Sequence, residues 1–263
     1  MAHLHILLTN DDGIDAPGLA AMERELQPLG HVTVAAPLTE QSGVGHSITY
    51  LTPLMARKVF VRDPQSGEDR QRGWAVEGSP ADCVKLAITE LCPQRPQLVV
   101  SGINSGQNAG INVLYSGTVA AAIEGAFFGV TSFAVSLEYN EHARYEQAAA
   151  MAAQIIAQVL ERKDDQPQLI NLNIPAAALD KPSEVHVLPM ATTPWGESFE
   201  QRHDPRGRPY YWATGMHPTP PNQIDTDLSA LKSGHITLTP LAFDMTQREQ
   251  LKEMQKWKLR VES

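Results

Sequence analysis

The sequence predicts an α/β fold, a doubly wound and mostly parallel sheet with a C-terminal extension, and three observations carry that expectation. Short apolar runs of strand length alternate with stretches of helical spacing as far as residue 174. Turn signals rich in Gly, Asn and Asp separate them. Beyond Pro182 the texture changes, with many Pro, Gly, aromatic and Arg residues between Thr192 and Asn222. A chain of 263 residues that is 42% hydrophobic and 19% charged has the composition of an ordinary globular protein. The expected division is an α/β core over residues 1–181 and an extension over 182–263, with a hairpin or arm and a terminal helix that make contacts between subunits.

The elements follow in order. Leu4 to Thr9 reads as a buried strand, broken by Asn10-Asp11-Asp12-Gly13, and Pro17 to Leu29 has helical apolar spacing. His31 to Ala36 is the next strand, completing a βαβ unit whose ligands are expected beyond the strands' carboxyl ends. Ile48 to Val61 is extended or hairpin structure leading to a polar loop, Arg62 to Gly73, and Trp74 to Glu77 is a short strand. Ser79 as N-cap, Pro80 in the first turn and Asp82 as an early acid open a helix to about Leu91. Then come strand Leu98 to Ser101, a glycine-rich loop from Gly102 to Gly117 and an alanine-rich helix to about Phe128. Strand Phe133 to Ser136, helix Glu141 to Leu160 and strand Leu169 to Ile174 complete the core. Strand His235 to Thr239 and a final polar helix close the chain.

Charge and cysteine usage exclude several classes. A net charge of -9 argues against coating a nucleic-acid polymer, which needs Lys and Arg to neutralise phosphates. Cys83 and Cys92 fall in one predicted helix, with neither a disulfide framework nor a paired zinc spacing. The chain enters a strand within four residues, leaving no room for a secretory signal, so the cytoplasm is the expected compartment. The tract Val119 to Leu137 is interrupted by Glu124 and several Gly, Thr and Ser residues, and reads as helix, turn and buried strand rather than a membrane span.

Loops leaving the carboxyl ends of parallel strands converge on one crevice, and here they bring together Asp11, Asp12, Ser42 and Asn104. Two carboxylates about 4 Å apart repel by roughly 4 kcal/mol at an effective dielectric near 20, so the pair wants a cation or a shared proton. Taken alone, Asn-Asp-Asp-Gly is equally well explained as a turn. Two carboxylates, a hydroxyl and an amide oxygen form a hard set suited to Mg²⁺ or Mn²⁺ rather than zinc. Ser116-Gly117-Thr118 opens a helix whose free amides attract an anion such as phosphate, while also reading as an ordinary cap. Asn10, Gly43 and Asn108 are further candidates for phosphate or substrate contact, and His46 is a candidate general acid. Gly43-Val-Gly-His lacks the dinucleotide fingerprint, and no Gly-Lys-Ser/Thr marks a P-loop.

Leu-Thr-Asn-Asp-Asp-Gly at 8–13, Gln-Ser-Gly at 41–43, Gly-Ser-Pro-Ala-Asp-Cys-Val at 78–84, Ser-Gly-Ile-Asn at 101–104 and Tyr-Ser-Gly-Thr-Val-Ala-Ala at 115–121 form an ordered set. That set resembles the stationary-phase survival protein SurE family. The likeness reappears at Asn171-Leu-Asn-Ile-Pro175, Asp204-Pro-Arg-Gly207, Tyr211-Trp212 and Thr239-Pro-Leu241. The resemblance implies a Rossmann-like core, a C-terminal arm used in a homodimer or homotetramer, and a metal-dependent phosphatase of nucleoside 5′-monophosphates. It further implies 3′-monophosphates and short polyphosphate as additional substrates. One divalent cation per subunit, Mg²⁺ or Mn²⁺, would be held by Asp11, Asp12, Ser42 and Asn104, with Asp11 and Asp12 catalytic. Adjacent aspartates are better placed as ligands than as a nucleophile and acid pair, so water is the expected nucleophile. The rival readings are a nucleotide-binding regulatory protein without turnover, and an interaction protein working through its arm.

Overall fold

The structure is a computed structural model that describes residues 4–62, 67–181, 184–192, 196–216 and 225–261. The expected boundary at Pro182 and part of the Thr192 to Asn222 stretch lie outside the described residues. Strands β1 (Leu4–Thr9), β2 (Gly30–Pro37), β3 (Ala56–Arg62), β4 (Asp69–Val76), β5 (Leu98–Ser105), β6 (Thr131–Leu137) and β7 (Leu169–Ile174) form most of one sheet. With β8 (Val185–Val187) and β11 (Ile236–Leu241) the described residues make a nine-stranded sheet in the order β3-β4-β2-β1-β5-β6-β7-β11-β8. From β4 across to β7 every pairing is parallel, and β3 and β11 run antiparallel to their neighbours β4 and β7.

Strand order reverses beside β1: the chain goes from β1 to β2 on one side and later to β5 on the other. In open α/β sheets that switch point leaves a crevice at the carboxyl ends, because the connections depart in opposite directions. Helices cover both faces. Ile6 and Leu8 pack with α1 (Pro17–Leu26) and α4 (Tyr145–Arg162) residues such as Leu19, Met22, Ala149 and Ile156. Leu7 and Val99 point the other way, with Val84 of α2 (Pro80–Leu86) and Ala121 of α3 (Gly117–Phe127). The alternation follows from the two-residue period of a strand.

Several boundaries differ from the sequence expectation. Among the described residues of Arg62 to Gly73, Asp69 to Gly73 are strand and not loop, since β4 begins at Asp69 and pairs antiparallel with β3, while residues 48–55 have no regular structure. The outer half of this hairpin exposes both faces, so it shows no hydrophobic alternation to read. Helix α2 ends at Leu86 and widens into a π turn, Ala87–Leu91, whose closing bond runs from the Cys92 amide to the Ala87 carbonyl. Cys83 is therefore helical and buried, and Cys92 lies just past the turn; both thiols are free. Strand β5 runs four residues past Ser101, so Asn104 is paired in the sheet opposite Ser136 instead of belonging to a loop.

Past residue 181 the chain returns to the main sheet through β8 and β11, joined by α5 (Asp227–Lys232). What leaves the core is a separate hairpin of β9 (Gly196–His203) and β10 (Pro209–Met216), carrying exposed Phe199, Tyr211 and Trp212, and the exposed polar helix α6 (Arg248–Met254).

One buried ion pair ties the first crevice loop to the sheet. Arg72 Nε donates to Glu23 Oε2 at 2.7 Å, and its Nη1 donates to the Ile14 carbonyl at 2.8 Å, with both side chains about one-tenth exposed. Removing one partner strands a buried charge. Glu23→Ala is therefore expected to lower unfolding free energy by about 3 kcal/mol in urea titration, far more than a surface pair would cost.

Candidate active site

The turn after β1 is locked by Asn10, whose side chain donates to the Gly13 carbonyl at 2.9 Å and accepts from the Gly13 amide at 3.2 Å. Asn10 is fully buried and its carboxamide is spent on the turn, so it braces the site and does not face a substrate. The turn sends Asp11 inward, where only 4% of it is exposed. The Asp11 carbonyl accepts from the Gln41 amide at 2.8 Å, which fixes the loop after β2 beside it. Asp12 Oδ2 accepts from the Ser105 amide at 3.3 Å, at the end of β5.

These contacts surround a cavity of about 330 Å³ lined by Asp11, Ser42, Gly43, Asn104, Asn108 and Ser116, among others. Asp12 sits at its edge, on the wall residue Ser105. Asn104 donates through Nδ2 to the Gly106 carbonyl at 2.7 Å, which leaves its Oδ1 as the acceptor. The four residues singled out in the sequence thus meet at the switch point, although they come from three segments as many as 93 positions apart.

The helix that opens at Ser116 completes the wall. Ser116, which lines the cavity, caps the helix by accepting from the Val119 amide at 3.1 Å, and the Thr118 amide bears on the Asp11 carboxylate. Thr118 is fully buried and donates its hydroxyl to Asp11 Oδ1 at 2.5 Å. Its hydroxyl is thus spent on orienting the Asp11 carboxylate. Gly117 is a glycine for space: a Cβ there would lie 2.9 Å from Asp11 Cβ, 3.1 Å from Asp11 Oδ2 and 3.1 Å from Pro80 Cγ.

The electrostatics want a cation. Burial pushes the Asp11 carboxyl up, against the lowering bond from Thr118. Burial, and then the charge of Asp11, push Asp12 up to about 6, partly offset by the Ser105 amide. Glu40 raises both. Glu40 was not a candidate from sequence; it also accepts from Ser42 Oγ at 2.6 Å, and its place two residues before Ser42 was the available signal. Gln107, Asn112 and Tyr115 also line the cavity without having been singled out, since nothing local distinguishes them from loop residues. Among the described residues no group of three or more His, Cys, Asp or Glu is placed to hold a metal. The set here has two carboxylates plus neutral oxygens, which fits a hard cation keeping several waters and does not fit a zinc cage.

His46 is held elsewhere. Its Nε2 lies 2.8 Å from Glu124 Oε2, and its ring stacks on Phe127 with centroids 5.3 Å apart and planes 21° apart. Those contacts tie it to the flank of α3, and it is not among the residues that line this cavity.

Comparison with known proteins bears on the whole chain. The family model described as Survival protein SurE matches residues 6–197. A protein named 5′-nucleotidase SurE from Rhodopirellula baltica is 54% identical over 258 residues, covering 98% of this chain and all of its own length. Another of that name from Desulforudis audaxviator is 43% identical, covering 97% of each chain. Among solved structures, the SurE protein from Aquifex aeolicus superposes with a TM-score of 0.81 at 34% identity, covering 96% of this chain and 98% of its own.

Proposed function

The chain belongs to the survival protein SurE family, and from that premise we propose that it is a 5′-nucleotidase working at the β1/β5 switch point, releasing phosphate from nucleoside monophosphates. The observation that supports this most directly is the meeting of Asp11, Asp12, Ser42 and Asn104 beside the N-terminus of α3. In this reading oxygens for a cation and the helix start for an anion serve one small space, as phosphoryl transfer requires, since positioning and charge stabilisation supply most of its catalysis.

Asp11, Asp12, Ser42 and Asn104 would hold one divalent cation, Mg²⁺ or Mn²⁺. When bound, it supplies charge neutralisation at the phosphoryl group and lowers the pKa of water. The chain's own residues do the rest. The amides opening α3 at Gly117, with the Gly43 backbone, the Ser116 rim and Asn108, grip the non-reacting phosphate oxygens. Thr118 holds Asp11 in one orientation. A neighbouring cavity of about 390 Å³ shares Gly106, Gln107 and Asn112 with the first, and offers room for the nucleoside. Relatives named as 5′-nucleotidases support the substrate class.

The chain also works as a homodimer or homotetramer in this reading. An isolated two-stranded hairpin is marginal in water, and β9–β10 presents exposed aromatics that a second copy would cover. Residues 1–181 are then the catalytic core, and the later residues supply both sheet strands and the intersubunit arm. No described helix is long and apolar enough to cross a membrane. Free Cys83 and Cys92 fit the cytoplasm.

Incubating the full chain with adenosine or guanosine monophosphate and Mn²⁺ is expected to release phosphate, and excess chelator is expected to stop it. Nucleotide binding with no release in any divalent metal would overturn the reading in favour of a regulatory protein.

A further inference from the structure

The wall of the cavity from Gly106 to Asn112 is irregular as far as Ala109 and then enters a short 3-10 turn at Gly110, and it is held at two points by fully buried side chains of β7 and α5. Asn173 of β7 accepts from the Asn108 amide at 2.8 Å and donates to the Asn108 carbonyl at 3.1 Å. Asn171, two residues back on the same face, donates to that carbonyl at 2.7 Å. At the next turn of the segment, Asp227 at the start of α5 accepts from the Gly110 amide at 2.7 Å through Oδ2. Its Oδ1 accepts from the Ala191 amide at 2.8 Å and from the Leu228 amide at 2.7 Å.

A loop bound only to its neighbours would carry its backbone groups to water. Here two consecutive anchor points, Asn108 and Gly110, are bonded instead to residues 65 and 117 positions later. The Asp227 bonds are charge-assisted and therefore the stronger kind. Of these residues Asn108 lines the cavity, and with its backbone fixed its side chain is held against buried Ser136, one Nδ2 hydrogen donated to Ser136 Oγ at 2.9 Å and the second left over. Packing repeats the design: a Cβ on Gly110 would lie 2.8 Å from Leu228 Cδ1, so the loop also rests on the residue after Asp227.

We propose that Asp227 and Asn173 are positioning residues for the phosphate site, a clamp by which the C-terminal part of the chain sets the place of Asn108 without touching substrate. The proposal rests on the phosphatase reading of the cavity. It makes the segment beyond residue 181 part of the catalytic apparatus as well as of the assembly.

The test uses the full chain with Mn²⁺ and inorganic phosphate as the probe, titrated calorimetrically into wild type, Asp227→Asn and Asn173→Ala. Asp227→Asn keeps the shape and one acceptor but turns an amide donor toward the Gly110 amide. Asn173→Ala frees Asn108 by a separate route, in case the first variant folds poorly. The dissociation constant for phosphate is expected to rise about 10-fold in both, with about one site per folded chain retained, and amide exchange over residues 106–112 is expected to quicken. A merely structural role would lower the number of competent sites and leave the dissociation constant alone. Phosphate affinity within twofold of wild type in the folded variants, or unchanged exchange over 106–112, would overturn the clamp. Failure of the phosphatase reading shows separately, as wild type that releases no phosphate from nucleotides.

Discussion

Asp11→Asn is expected to reduce metal-dependent phosphate release by on the order of 10³-fold in kcat/KM, with the folded structure retained. The two side chains are nearly identical in shape, and Thr118 can still donate to the remaining oxygen, so the turn closed by Asn10 and the bond from Gln41 to the Asp11 backbone persist. What is lost is charge. Asp11 and Asp12 are the only carboxylates among the four proposed ligands, and a neutral amide halves their negative charge where a hard cation needs it most. The loss has a readout that does not depend on turnover. A ligand that binds only the folded state adds RT ln(1 + [L]/Kd), about 2.7 kcal/mol at one hundred times Kd. The rise in Tm that wild type gains from Mn²⁺ is expected to vanish in Asp11→Asn. A variant that keeps both its activity and its metal-induced shift would remove Asp11 from the site.

Gly117→Ala is the second large effect, expected at about 10²-fold in kcat/KM. The added methyl would sit 2.9 Å from Asp11 Cβ and 3.1 Å from its Oδ2, in a place where Pro80 closes the third side at 3.1 Å. Neither neighbour is the free end of a flexible chain, so either Asp11 is pushed from its orientation or the start of α3 retreats from the cavity. Both separate the cation oxygens from the anion amides. Overpacking of this kind costs about 1–3 kcal/mol in stability, small enough for the protein to stay folded while the alignment fails. Thr118→Val separates the two causes: it removes the bond to Asp11 while keeping the volume, and is expected to cost about 10-fold, the usual range for a residue that orients a ligand. Steady-state kinetics at saturating Mn²⁺, with circular dichroism as a control, ranks the three. Equal losses in Gly117→Ala and Thr118→Val would mean that orientation of Asp11 alone, and not the approach of α3, sets the rate.

Much of this arrangement is legible residue by residue. Asn10-Asp11-Asp12-Gly13 announces a turn, and the N-cap read at Ser79 forms, with the Asp82 amide donating to Ser79 Oγ at 3.1 Å and the Asp82 carboxylate accepting from the Ser79 amide at 2.9 Å. The apolar runs of β1 and β5 are strands because burial on both faces demands near-continuous hydrophobicity, and β7 departs from that pattern only at buried Asn171 and Asn173. The legible part stops where burial stops reporting on structure. The outer residues of β3 and β4 are exposed on both sides, and β8 has only three residues, so neither leaves a hydrophobic period. Residue type suggests a candidate role, but type alone cannot say whether a hydroxyl or amide is already spent. Asn10, Thr118 and His46 all had suitable chemistry, and each turns out to be committed to a partner within the protein.

By itself, then, the sequence determined the turns, the caps and the order of the buried core strands and helices, because each depends on neighbours within a few positions. Tertiary structure alone decided that β11 returns antiparallel beside β7, that Gly117 must be bare to let α3 approach Asp11, and that Asp227 reaches back to Gly110. Those are matters of distance between segments far apart along the chain, and a hydrogen bond or a clash exists only once the sheet has set that distance.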